Sequence, residues 1–66
     1  MTKKDYIKLA EVLNHRLYFV LGDDKYNERM TLYATMREIA SMLSSDNPRF
    51  NYRKFLNACG MPEDMQ

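Results

Sequence analysis

Four groups of side chains have the chemical types from which a site could be built. His15 is the only histidine. A histidine base needs a nucleophile and an orienting carboxylate within hydrogen-bond reach, and no such set is spaced around it. It reads as a solvent-facing helix residue. Cys59 is the only cysteine, and with Tyr52, Phe55 and Leu56 it recurs at helical spacing on one apolar face. A free cysteine in that setting is a small hydrophobe rather than a thiolate nucleophile or redox sensor. Asp23, Asp24 and Glu28 carry oxygens that could meet a divalent cation, but the alternating ligands and central glycine of a calcium loop are missing. Turn and helix-start chemistry accounts for them.

The fourth group is basic. Arg49, Arg53 and Lys54 cluster beside Tyr52, and Lys3, Lys4 and Lys8 cluster at the other end of the chain. Cations beside an aromatic ring can hold nucleic acid through phosphate contacts and stacking. The alternative is a solvated helix face. Ten basic residues stand against nine acidic ones, and affinity for phosphate backbones comes from uncompensated Lys and Arg. Near neutrality therefore disfavours nucleic acid as the partner. Both glycines sit where helices are expected to end, so no phosphate-cradling loop is present. These residues predict no catalytic, cofactor-binding or metal site, and a protein that is not an enzyme.

The elements that would position these groups are helical. Thr2 can cap a helix, with Asp5 three residues on in a capping-box arrangement. Tyr6, Leu9, Ala10, Leu13, Leu17 and Val20 or Leu21 then follow at three- and four-residue spacing, predicting an amphipathic helix over about 2–21. The run 17–21 is apolar all round, yet a lone strand would have no partner, so it stays helical, with Gly22 as its stop. Asp23 or Asp24 can cap a second helix over about 26–45, whose stripe is Leu32, Met36, Ile39, Ala40 and Leu43, supported by Met30 or Tyr33.

Pro48 ends that helix and pushes Asn47 into extended backbone. Asn51 caps a third helix over about 51–59, with Phe50 and Phe55 at hydrophobic-staple spacing. Gly60 closes it, with Met61 folding back onto Leu56. The tail 63–66 should fray. The expectation is one all-α domain spanning 1–66, a three-helix bundle in which two long antiparallel helices form a hairpin and a short third helix crosses one end.

Asn47-Pro48-Arg49-Phe50, followed by Phe55-Leu56-Asn57-Ala58-Cys59-Gly60, resembles the C-terminal signature of small proteins encoded by phages, prophages and plasmids. In that family the pattern runs Asn-Pro-Arg-Phe-Asp-x-x-x-Phe-Leu-x-Ala-Cys-Gly. Met1-Thr2-Lys3-Lys4-Asp5-Tyr6 is similar to the opening of its first helix. Asn51 stands where the family carries Asp, and both types cap helices. The resemblance covers the two ends and leaves residues 14–30 outside it. It implies a mobile-element origin and a bacterial cytoplasm, and it carries no functional residue across.

Sixty-six residues bury only about 60% of the unfolded surface, so the stability margin is thin. One cysteine rules out an internal disulfide and fits a reducing, cytoplasmic setting. The apolar run 17–21 is far shorter than the roughly 20 residues a membrane-crossing helix needs. Six methionines, five tyrosines and three phenylalanines exceed what three such helices can enclose. Tyrosine and methionine suit interfaces, and Tyr18, Phe19, Tyr26 and Tyr33 are the candidates for an exposed protein-binding patch. The expected function is a phage or mobile-element accessory protein that occludes a host or antiviral-defence protein, anti-CRISPR-type inhibition being one form of it. A homodimer face is a further use of the patch. The runner-up is a small DNA-binding regulator using Arg49, Tyr52, Arg53 and Lys54.

Overall fold

The computed structural model describes residues 2–66; Met1 of the N-terminal motif lies outside them. Helix α1 runs Lys3–Tyr18. Its start is the capping box: the Thr2 backbone N–H donates to Asp5 Oδ2 at 2.9 Å, and the Asp5 N–H donates to Thr2 Oγ1 at 3.4 Å. Two orphan amides are thereby satisfied, and the negative side chain sits at the positive end of the helix dipole.

The end of α1 corrects the expectation. The helix stops three residues short of Leu21, and Gly22 is not its stop. The Phe19 N–H turns back to the Arg16 carbonyl at 3.2 Å and the Val20 N–H to the Leu17 carbonyl at 3.0 Å. Such i→i+3 bonds tighten a last turn and need no left-handed residue. The carbonyls that follow are satisfied from outside the segment: Arg29 Nη1 donates to Val20 O at 2.9 Å and to Gly22 O at 3.0 Å.

Helix α2 runs Tyr26–Asp46. Neither Asp23 nor Asp24 caps it. Both lie in a 3₁₀ turn, Asp23–Lys25, and the cap position falls to Lys25, which makes no side-chain cap bond. Asn47 is extended (φ −138°, ψ 105°), as a residue before proline must be.

Helix α3 runs Tyr52–Cys59 with Asn51 as its cap, the Lys54 N–H donating to Asn51 Oδ1 at 3.0 Å. The Phe50 and Phe55 ring centroids are 5.4 Å apart, which is the hydrophobic staple. Gly60 is left-handed at φ 91°, and the Met61 N–H reaches the Leu56 carbonyl at 3.1 Å, the Schellman closure.

The tail is ordered rather than frayed. Glu63–Met65 forms a 3₁₀ turn. Arg37 Nη1 donates to Met65 O at 3.1 Å, and Gln66 Nε2 donates to Met61 O at 3.0 Å and to Asn57 Oδ1. Two side chains from elsewhere in the fold hold a segment whose own sequence offers little to hold it.

All three helices pack together, and the described residues include no strand. The packing centre differs from a two-helix hairpin. Helix α3 lies against both α1 and α2, whereas α1 and α2 meet directly over only a short stretch. The apolar face of α3 supplies Phe55, Leu56 and Cys59 to a core completed by Ala10, Leu13 and Leu17 of α1 and Tyr33, Met36, Ala40 and Leu43 of α2. Met36, Leu56 and Cys59 are wholly enclosed. The molecule is long and narrow, 37 × 19 × 16 Å, and its two ends offer different surfaces.

Candidate functional site

At one end, the last turn of α1, the loop after it and the first residue of α2 present large apolar side chains to solvent. Tyr18 is 73% exposed, Phe19 56%, Leu21 57% and Tyr26 57%. The backbone explains why. The core stripe of α1 is Ala10, Leu13 and Leu17, so at 100° per residue Tyr18 and Phe19 rotate away from it. The tight turn at 19–20 then swings Leu21 off the helix before it can pack.

The rings are set against one another rather than disordered in attitude. The Tyr18 and Phe19 centroids are 5.7 Å apart at 89°, and those of His15 and Phe19 are 5.3 Å apart at 77°. Edge-to-face pairs of this kind hold a ring in place beyond what its area alone provides. The Arg29 guanidinium lies 5.7 Å from the centre of the Tyr26 ring, so the residue that holds the loop carbonyls also braces the aromatic beside the loop. A shallow depression of about 300 Å³ adjoins Phe19 and Val20, with Leu32 in its wall and Arg16 and Glu28 at its margin.

Tyr18, Phe19 and Tyr26 are therefore exposed as anticipated, and Tyr33 is not. Tyr33 is 5% exposed and belongs to the core. The spacing held the signal, because Tyr33, Met36, Ala40 and Leu43 follow at steps of three, four and three on one helix face. Leu21 joins the surface in its place. Nothing in its residue type singles it out; the early end of α1 does.

The basic candidates separate. Arg49 and Lys54 border a groove between α1 and α3, together with Lys3 from the far end of the chain. Tyr52 is half-buried and packs against the core, and Arg53 is exposed outside the groove. Of the set Arg49, Tyr52, Arg53 and Lys54, the first and last line one groove and the other two do not.

His15 is exposed and engages Phe19. Cys59 is enclosed, and burial pushes its thiol up to about 11, which removes the thiolate on which nucleophilic and redox chemistry depend. Asp23 and Asp24 are exposed in their turn. Among the described residues no group of three or more His, Cys, Asp or Glu is placed to hold a metal ion, and no helix is long and apolar enough to cross a membrane. Comparisons with known families, with characterised proteins and with solved structures return no match.

Proposed function

We propose that this chain is a protein-binding module that acts by covering a surface of its target. The carrying observation is the cluster at 18–26: three aromatics and a leucine, each more than half exposed, within nine residues. Together they offer roughly 450 Å² of solvent-facing side chain, from the 150–250 Å² typical of an aromatic, the size of the largest apolar patch on a typical monomer, which is often functional. Ring pairs and the Arg29 brace hold the patch in one shape. That lowers the ordering cost of binding. The resemblance of the C-terminal block to mobile-element proteins supports a host or antiviral-defence protein as the target, and occlusion as the mechanism.

Tagged protein and a Phe19→Asp, Tyr26→Asp variant, incubated with nuclease-treated bacterial lysate at high salt, test the reading. Both positions are exposed, so the variant's helical circular dichroism should match the wild type. One stoichiometric protein held by the wild type and lost by the variant is the expected result. Identical partners on both, or none on either, would remove the patch as the binding face.

A further inference from the structure

The opposite end of the molecule carries a second surface of different chemistry. Lys3 and Ile7 of α1 face Arg49, Lys54 and Ala58 across a groove of about 480 Å³. Its floor is apolar, made by Tyr6, Ile7, Ala10, Phe50, Phe55 and Ala58. Ile7, a branched aliphatic, is half exposed there. Three cations border the groove, and no carboxylate is among the described residues that line it. The acceptor oxygens of the neutral polar side chains are already occupied. Asn47 Oδ1 accepts from the Arg49 N–H at 3.1 Å, Asn51 Oδ1 accepts from the Lys54 N–H, and Asn47 Nδ2 reaches the Tyr6 hydroxyl at 3.4 Å. What remains for an occupant is apolar floor, positive charge and the donor groups of Asn51 and Tyr6.

The geometry points to a short acidic peptide segment with one large apolar anchor as the occupant of this groove. The anchor lies between the exposed Ile7 and Ala58, whose methyl side chain leaves room beside it. Carboxylates on either side meet Lys3 at one edge and Arg49 and Lys54 at the other. Size sets the length: from Lys3 to Ala10 the α1 wall is about 10 Å long at 1.5 Å per residue, enough for one anchor and its flanks. Nucleic acid fits less well. Stacking needs a free aromatic face, and here the Tyr6 and Phe50 rings are locked edge-on at 4.9 Å and 63° while Phe50 leans on Phe55. Near-zero net charge also withholds the long-range attraction that phosphate backbones exploit. The surface is independent of the aromatic patch at the other end of α1.

The probe is a fluorescein-labelled hexapeptide, Asp-Glu-Asp-Phe-Asp-Glu, titrated with full-length protein at low salt and followed by anisotropy. Binding in the micromolar range is expected, weakened at least tenfold by Arg49→Glu with Lys54→Glu and by replacing the peptide's Phe with Ser. Ile7→Asp, an exposed change that spares the core, should weaken it similarly, and Phe19→Asp should leave it unchanged. The proposal is overturned by no binding at millimolar peptide, by equal binding of a Lys-Lys-Lys-Phe-Lys-Lys control, or by indifference to charge reversal at Arg49 and Lys54. An eight-nucleotide oligothymidylate that binds more tightly and displaces the peptide would assign the groove to nucleic acid instead.

Discussion

Gly60 is where one residue meets two demands. Its left-handed φ of 91° disfavours any side chain, and a Cβ there would run into the Asn14 side-chain amide and approach Leu17 Cδ2 at 3.1 Å. That amide is needed where it is, because Asn14 Nδ2 donates to the Cys59 carbonyl at 3.0 Å and caps α3 from another helix. Gly60→Ala should cost roughly 2–3 kcal/mol, from left-handed strain and the displaced bond. A melting temperature about 10–20 °C lower by circular dichroism is the expected reading. Cys59 makes a pH prediction. Its folded pKa of about 11 lies above the ordinary thiol value of 9.0 that the unfolded chain takes. Its stabilising contribution is complete below the unfolded value and is lost as pH rises through the folded one. The wild type should lose melting temperature over this window faster than Cys59→Ala, which cannot titrate. The native thiol should resist Ellman's reagent at pH 8 and react once guanidinium unfolds the chain.

Between α1 and α2, the order of the loop rests on one side chain. The loop has no capping glycine and no Asp cap; Arg29 supplies its order by donating to two loop carbonyls and lying beside the Tyr26 ring. Arg29→Ala leaves those carbonyls to water and should cost about 1–2 kcal/mol. The effect is local. Hydrogen exchange at the Val20 and Lys25 amides, which close the two turns of this loop, should speed up while exchange at Met36 and Leu56 tracks the global stability alone. Unchanged exchange at Val20 and Lys25 would show that Arg29 does not hold the loop. Because the loop carries Leu21 and leads into Tyr26, partner binding at the aromatic patch should weaken with the same substitution.

As a whole the molecule is surface-rich. Its accessible surface is 4898 Å², against about 4,400 Å² for a compact monomer of this mass. The difference follows from the long, narrow packing around α3. The patch of roughly 450 Å² falls short of the about 800 Å² per partner that a stable interface uses. Self-association through it should accordingly be weak. Light scattering should return a monomer mass at micromolar concentration, a rising average mass near millimolar, and a monomer throughout for Phe19→Asp. A micromolar dimer that persists in that variant would place the self-contact elsewhere.

Local rules made much of this fold legible in the amino-acid order. Thr2 with Asp5, Pro48 after Asn47, Asn51 with Phe50 and Phe55, and Gly60 with Met61 each act over a few residues, so their outcome follows from spacing alone. The three helices and most of the core stripe follow for the same reason. Tertiary contacts decided what remained. Arg29, Arg37 and Asn14 settle the α1–α2 loop, the tail and the end of α3 from 7 to 45 residues away, and a side chain that can donate gives no hint of which distant carbonyl it will reach. Exposure of Leu21 depends on where α1 ends. Lys3 joined Arg49 and Lys54 only because the chain folded its two ends together. Short-range stereochemistry is written in neighbouring residues, whereas a surface is assembled from residues that packing alone makes neighbours.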